Sequence, residues 1–398
     1  MTTKNLMGSS VEDFLHFPRF YGLDLIRLLS FYAIAIFHIT FIHYYTVDIA
    51  IGRETPIFAM MEVYARSLAF SGFTILFLTS MLTAYSGRGL IKRIRLFGFL
   101  VFGWAIFSAY MAGSGNFLLT WDVYPLIFFG ILIATVVELM SPLASRCLAV
   151  LGVILLCIPF GEGFRPLWMG DDVATVLGLG DCKKNAVEWA IFPWMGLVWF
   201  GYGVGQTLRE KAAQGRLNDL KMGYMEIFAW SIPLIGSIPQ WGQFYDIRLG
   251  PLFACDAYHQ TPLVWWSHLI WVFLAIRLSL EPRIAHWLSG RWIIQKISQM
   301  CISRRFWVAY FASYIWAHVV SEIGTATDWE ATSWRVDATV IVGVMYFVSL
   351  EYVTKFLIFW GNYLINWVTL QLQHPPTGVK LPTVSTEEKI VLGTSGEA

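Results

Sequence analysis

The chain has 398 residues, of which 57% are hydrophobic and 14% are charged, and its formal net charge is +1. Soluble domains contain about 25% charged residues, so this composition excludes an ordinary soluble protein and predicts an integral membrane protein in contact with the lipid bilayer. The near-neutral charge balance gives no reason to expect a nucleic-acid partner.

Ten apolar stretches of spanning length follow one another along the chain. Because backbone polar groups in lipid must be satisfied internally, these stretches predict helices, and therefore an all-α polytopic membrane protein of about ten transmembrane helices. The predicted spans are 22–43, 64–85, 96–113, 123–140, 147–160, 188–208, 223–239, 261–279, 306–324 and 337–358.

Lysine and arginine are concentrated in every second connection between these spans. The segments 86–95 and 209–221 carry four cations each, and the segment 280–305 carries five. The alternate connections are acidic or aromatic, as in 161–187 with its three aspartates. The positive-inside rule therefore places the basic connections and both termini in the cytoplasm.

The C-terminal part of the chain leaves more than one interpretation open. We predict a transmembrane domain over residues 1–373 and a disordered cytoplasmic tail over 374–398, which is rich in Pro, Ser and Thr. Residues 359–373 can prolong the last helix, lie at the membrane interface or form an eleventh span. Among the five cysteines, Cys182 and Cys255 fall in outer segments, where one disulfide is possible.

The first predicted span, YGLDLIRLLSFYAIAIFHITFIH, carries three ionisable residues, Asp24, Arg27 and His38. Such side chains at membrane depth are costly and by default functional. Arg27 and His38 are eleven residues apart, which places them on one helix face about 16 Å apart along the axis, and Asp24 is spaced to pair with Arg27. The alternative is an interfacial ion pair with a histidine that only packs between helices. The shared face favours a site.

A second signal is the basic run IKRIR at residues 91–95, directly before the third span. Lys92 and Arg95 share a helix face, with Arg93 beside them, and such a group can hold the phosphates of a nucleotide-bearing donor such as coenzyme A. The alternative is an ordinary positive-inside flank.

These motifs resemble a known family. Arg27 followed by His38 in a first helix that begins Gly22-Leu23-Asp24 resembles the signature of the acyltransferase family 3 membrane acyltransferases, and the Lys92/Arg95 pair is similar to that family's second motif. The stretch SYIWAHV, which contains His318, resembles a late helix of the family. The segment FPWMGLVWFGYGVGQ at 192–206 is more similar to the related heparan glucosaminide N-acetyltransferases and YeiB-like membrane proteins.

The resemblance implies an acyltransferase that takes acetyl-CoA, or another acyl-CoA, from the cytoplasm and acylates a glycan or glycolipid outside, without a metal. It implies that Arg27 and the basic residues Lys92, Arg93 and Arg95 hold the donor, and that His38 accepts a proton or carries the acyl group. His43 is the reserve candidate for the base. We expect His268 and His318 to be packing residues.

Two further hypotheses remain at this point. The protein can be an N-acetyltransferase of an amino sugar, or a proton-coupled transporter that uses Asp24, Arg27 and His38 as a relay. Transporters often show inverted repeats, and the sequence shows no clear internal repeat. We expect the protein to be an O-acetyltransferase of the bacterial inner (plasma) membrane that modifies the cell envelope. The sequence does not define the oligomeric state.

Overall fold

The computed structural model describes residues 19–46, 71–86, 90–112, 123–158, 165–177, 179, 191–245, 262–300, 306–326, 346 and 348–363. Within these ranges the regular secondary structure is entirely helical, so the predicted all-α class is confirmed. The possible Cys182–Cys255 disulfide and the tail 374–398 lie outside the described residues.

Twelve helices are bounded at both ends within the described ranges, and a 3₁₀ turn, Leu217–Leu220, follows the seventh. The helices are α1 Tyr21–Thr46, α2 Ser71–Tyr85, α3 Leu90–Ala112, α4 Val123–Met140, α5 Pro142–Cys157, α6 Asp171–Leu177, α7 Ile191–Ala213, α8 Tyr224–Tyr245, α9 Pro262–Ser279, α10 Pro282–Ser289, α11 Trp292–Gln299 and α12 Phe306–Ala326.

Each of the ten predicted spans contains helical residues in the part that the structure describes, and α4 has the predicted bounds of 123–140. Other helices run past the apolar stretch into charged sequence. The helix α3 already begins at Leu90 and includes the basic run, and α7 continues to Ala213, because Lys, Arg and Glu are good helix formers where a helix leaves its apolar surroundings. Sequence reasoning missed the short helices α6, α10 and α11.

The helix α7 lies against both α2 and α5, and glycines allow the close approach. A Cβ atom on Gly196 would lie 2.5 Å from the carbonyl oxygen of Gly152 in α5, and a Cβ on Gly201 would overlap Ser80 and the backbone of Phe77 in α2. Only a residue without a side chain fits at such contacts. The glycines of 192–206 therefore set the distances within this helix layer.

Contacts along α7 also fix the direction of its neighbours. Ser145 and Arg146, near the start of α5, bind Gln206 and Glu210, near the end of α7, so α5 and α7 are antiparallel. The rings of Phe77 and Phe200 lie 5.4 Å apart.

Further along the same pair, the carbonyl of Ala84 at the end of α2 accepts a hydrogen bond from Arg209 at the end of α7. Phe77 contacts Phe200, and the later residue Ala84 contacts the later residue Arg209, so α2 and α7 are parallel. The end of α2, the end of α7 with Arg209 and the start of α5 with Arg146 consequently lie on one side of the bundle.

The helix α1 packs against α12, α2, α9 and the two short helices α10 and α11. Its first half is buried at Leu23, Phe31 and Ala35, and the Phe31 ring meets that of Phe306 at the start of α12 at a centroid distance of 5.8 Å. The helix with the three ionisable residues is therefore a central element of the bundle.

Among the described helices, α4 alone is long and apolar enough to cross a membrane by length and composition, with a mean hydropathy of 2.2 over its 18 residues. Shorter apolar segments lie in α2, α3, α5, α9 and α12.

The chain divides into two compact units, Met1–Thr354 and Lys355–Ala398. The second unit is described over residues 355–363, which are helical. Of the ambiguous segment 359–373, residues 359–363 are thus helical and 364–373 lie outside the described residues.

Candidate functional site

The first candidate site is a group of three charged residues at the start of α1, Arg19, Asp24 and Arg27, which we name the α1 charge cluster. Asp24 is buried, and its Oδ2 atom accepts a hydrogen bond of 2.6 Å from Nε of Arg19. Arg27 Nη1 lies 3.8 Å from Asp24 Oδ1. The predicted Asp24–Arg27 pair is present, but the closer partner of the carboxylate is Arg19, which sequence reasoning did not single out.

Arg19 also connects α1 to another part of the chain. Its Nη2 atom donates a hydrogen bond of 2.6 Å to the carbonyl oxygen of Ser298 in α11. Asp24 lies in the first turn of α1, where a negative charge is stabilised by the helix dipole. The α1 charge cluster thus fixes the beginning of the helix and holds α11 against it.

The second candidate site joins α3, α4 and α7. Glu138, near the end of α4, accepts hydrogen bonds at Oε2 from both terminal nitrogens of Arg93, each at 3.2 Å, and from the hydroxyl of Tyr202. Its Oε1 atom accepts a hydrogen bond from Arg209. Arg93 Nη1 also donates to the Tyr202 hydroxyl at 3.0 Å. We name these four residues the Glu138 cluster.

Burial makes these interactions strong and mutually dependent. The side chains of Arg93 and Glu138 are only 9% and 13% exposed, so each charge has exchanged most of its water for protein partners. A buried ion that loses its partner keeps the full desolvation cost. Each of the two clusters contains two guanidinium groups and one carboxylate, so each carries an excess of positive charge.

The two clusters lie on either side of the end of α2. The ring of Phe20, next to Arg19, is 5.7 Å from that of Tyr85. The adjacent residue Ala84 accepts a hydrogen bond of 3.2 Å at its carbonyl from Arg209. Arg209 of one cluster and Phe20, the neighbour of Arg19 in the other, therefore contact the same helix end.

No family model, curated protein or solved structure matches the chain. Groups of three or more His, Cys, Asp and Glu that would suit a metal ion are absent from the described ranges.

The structure brings some of the predicted site residues together and leaves others as predictions. Asp24 and Arg27 are in contact, and Arg93 joins the Glu138 cluster. His38 lies within the continuous helix α1, while Lys92 and Arg95 lie in the first two turns of α3. The side chains of these last three residues lie outside the described residues.

Sequence reasoning missed Glu138, Tyr202 and Arg209. Glu138 carried a usable signal, since it is the single ionisable side chain inside the apolar sequence VYPLIFFGILIATVVELM of α4. Arg209 was counted only as a positive-inside flank, and Tyr202 carries no charge that would have marked it. Their pairing depends on helices that are far apart in sequence, which a single sequence does not reveal.

Proposed function

We propose that this protein is a multi-pass membrane acyltransferase that moves an acyl group, with acetyl as the first candidate, from a cytoplasmic acyl-CoA to a hydroxyl of a cell-surface glycan or glycolipid. The observation that carries the proposal is the continuity of α1. One helix of 26 residues carries Arg27 at the basic side of the bundle and His38 about 16 Å further along the same face.

The membrane location is supported by the distribution of apolar and polar side chains. Large apolar residues are exposed on the outer faces of α5 and α8, including Val150 at 60% and Ile235 at 67%. At the same time Asp24, Arg93 and Gln206 are buried. Soluble monomers rarely expose contiguous apolar faces of this kind, whereas lipid would cover them. With the positive-inside pattern, we interpret the ten helical stretches as ten spans.

The donor end is supported by the excess of arginine. The α1 charge cluster and the Glu138 cluster each bring two guanidinium groups to one carboxylate, and arginine is suited to bidentate phosphate binding. In the proposal, Arg27, Lys92 and Arg95 contact the phosphates of the donor. Arg93, held by Glu138 and Tyr202, also fixes the first turn of the helix that carries Lys92 and Arg95.

The reaction is an acyl transfer at His38. The imidazole accepts the proton of the acceptor hydroxyl while the hydroxyl oxygen attacks the thioester carbonyl. The carbon–sulfur bond then breaks, and the thiolate of CoA takes up the proton. In the second route an imidazole nitrogen of His38 attacks the thioester carbonyl, the carbon–sulfur bond breaks, and CoA leaves as the thiol with the imidazole proton. The acceptor hydroxyl then attacks the acyl group on His38, the acyl–nitrogen bond breaks, and the hydroxyl proton passes to the imidazole. Both routes need His38 between a donor from the cytoplasm and an acceptor from outside.

The test uses the purified full chain in nanodiscs with [1-¹⁴C]acetyl-CoA and membrane glycans from the expressing cells as the acceptor pool. We expect label to be transferred by the wild type and lost, by at least about 100-fold, in His38→Ala. His286→Ala is the matched control, because His286 is exposed in the short helix α10. Transfer at the wild-type rate by His38→Ala would remove His38 from the mechanism.

Two additional readouts separate the remaining alternatives. Hydroxylamine releases an O-acetyl ester and leaves an N-acetyl amide intact, so the stability of the labelled product distinguishes O-transfer from N-transfer. Proton flux in proteoliposomes that contain no acyl donor would instead support the transporter, and would contradict the acyltransferase if no acyl transfer accompanied it.

A further inference from the structure

The short helices α10 and α11 form a hairpin with one buried and one exposed side. Leu288 and Ser298 are buried. The exposed side carries three large apolar residues at 57%, 68% and 61% exposure, which are Trp287, Trp292 and Ile293. Large apolar side chains exposed together are typical of an interaction surface, and tryptophan is enriched at surfaces that are apolar at one end and wet at the other.

This hairpin is a fixed structure rather than a loose connection. The Glu281 side chain caps α10 by accepting hydrogen bonds from the backbone of Arg283 and Ile284 at 2.7 and 3.0 Å. Gln295 of α11 donates to the carbonyl of Ser289 of α10 at 2.6 Å. The direction of the exposed tryptophans is therefore set by the fold.

The same exposed side carries cations. Arg283, Arg291 and Lys296 are exposed, and the guanidinium carbon of Arg291 lies 4.6 Å from the centroid of the Trp287 ring. The one carboxylate of the hairpin region, Glu281, is buried, with Oε1 at 3.7 Å from Nε of Arg283. The exposed side is therefore cationic and aromatic.

We propose that the exposed side of α10 and α11 binds the anionic phospholipid headgroups of the cytoplasmic leaflet. In this arrangement the apolar side chains of Trp287, Trp292 and Ile293 lie below the level of the lipid phosphates. The cations Arg283, Arg291 and Lys296 bind the phosphates. Tryptophan is enriched at this depth of a membrane, and amphipathic helices that combine it with Arg or Lys lie in the interface plane. The inference rests on the membrane location given under the proposed function, and it names a lipid partner that the acyltransferase reaction does not require.

The hairpin, and with it any bound lipid, is also connected to α1. Ser298 of α11 accepts the hydrogen bond from Arg19, whose guanidinium also binds Asp24. Lipid binding to α10 and α11 consequently stabilises the beginning of the helix that carries Arg27. Anionic lipid is thereby coupled to the α1 charge cluster.

The test measures the depth of nitroxide labels in the full chain, in nanodiscs of phosphatidylcholine with and without phosphatidylglycerol. Single cysteines replace Trp287 or Trp292 in a background whose five native cysteines are changed to Ser. Val150→Cys on α5 serves as the lipid-exposed control, and Gln214→Cys at the end of α7 serves as the aqueous control. We expect the nitroxides at Trp287→Cys and Trp292→Cys to be relaxed more strongly by oxygen than by a water-soluble nickel complex, as nitroxides inside a membrane are.

The lipid preference is tested in the native chain by hydrogen–deuterium exchange. Phosphatidylglycerol should slow exchange in residues 282–299, and the triple variant Arg283→Gln/Arg291→Gln/Lys296→Gln should lose this protection. Each cation contributes about a fivefold preference for an anionic surface. The matched control Arg216→Gln/Lys221→Gln removes cations from the turn after α7 and should leave the protection unchanged.

The outcomes separate the inference from the function. If the Val150 label is deep and the labels at 287 and 292 are as water-accessible as the label at 214, the hairpin does not lie in the interface and this inference is wrong. If the Val150 label is also in water, the membrane location fails and the proposed function fails with it. Equal exchange with and without phosphatidylglycerol overturns the anionic preference.

Discussion

Arg93 and Glu138 form a buried ion pair of 3.2 Å between α3 and α4, across 45 residues of sequence. The pair is completed by Tyr202 and Arg209 of α7, so one carboxylate connects three helices. Because Arg93, Tyr202 and Arg209 all donate to this one carboxylate, its loss would leave two guanidinium groups without their shared anion. Glu138 is therefore the residue on which the Glu138 cluster depends.

We predict that Glu138→Gln destabilises the protein by about 3 kcal/mol or more, the usual cost of breaking a buried ion pair from one side. The measurement is the free energy of unfolding in a titration of dodecylmaltoside micelles with SDS. Glu210→Gln is the matched control. It breaks the exposed Arg146–Glu210 pair, and exposed pairs contribute about 0–1 kcal/mol. Equal effects of the two substitutions would contradict the importance assigned to Glu138.

Gly196 provides a prediction about helix packing. In Gly196→Ala the new Cβ would lie 2.5 Å from the Gly152 carbonyl oxygen, and since backbone cannot move as a side chain can, α5 and α7 must separate. We expect a loss of about 1–3 kcal/mol in the free energy of unfolding.

The control for this prediction is Gly236→Ala in α8, where a Cβ would have no atom within 4 Å. This substitution should be neutral or stabilising by up to about 1 kcal/mol, because Ala favours helix more than Gly does. If the Gly196→Ala protein were as stable as the Gly236→Ala protein, α5 and α7 would not pack as closely at Gly196 as described above.

The helices could be predicted from sequence because their apolar lengths and charged interruptions are local features. The pattern at 123–140 gave α4 to the residue, and the Asp24–Arg27 spacing gave a pair that the structure contains. The short helices α10 and α11 were missed because each has only two turns, and their stability comes from capping by Glu281 and from packing rather than from an apolar run of spanning length.

The charge clusters were predicted only in part, for a different physical reason. A charge can be recognised from sequence, but its partner is chosen by tertiary packing. Arg93 was assigned to a phosphate site as one of three basic residues, and its nearest anion proved to be Glu138, on the next helix. Arg19 lies just outside the first predicted span and was not singled out from the sequence, although it is the closer partner of Asp24.

Arg19 and Arg27 should therefore respond differently to substitution. Arg19→Gln removes the hydrogen bonds to Asp24 and to the Ser298 carbonyl, so we expect a lower thermal midpoint and faster hydrogen exchange in α11. Arg27→Gln removes a contact of 3.8 Å with Asp24, which is longer than the 2.6 Å hydrogen bond from Arg19, and should lower the thermal midpoint less than Arg19→Gln does.

Arg27→Gln should instead raise the KM for acetyl-CoA, by about tenfold for the loss of one charge-assisted phosphate contact. Kinetics and thermal melting of both variants in the same nanodiscs provide the measurement. If Arg27→Gln leaves the KM for acetyl-CoA unchanged, Arg27 is not a donor ligand, whatever its effect on stability.

The orientation of the bundle gives the last prediction. Gln214, at the basic end of α7, should react with a membrane-impermeant maleimide from the cytoplasmic side after Gln214→Cys, and Trp168→Cys should react from the outside, since Trp168 is 82% exposed in an alternate connection. Native Cys147 and Cys157, which are exposed on α5, should stay unlabelled in intact membranes because lipid excludes the reagent. Peptide mass spectrometry locates the label in whole cells and in inverted vesicles. If both introduced cysteines are labelled from the same side, an even number of membrane crossings separates residues 168 and 214. That result would contradict the prediction, because a single predicted span, 188–208, lies between them.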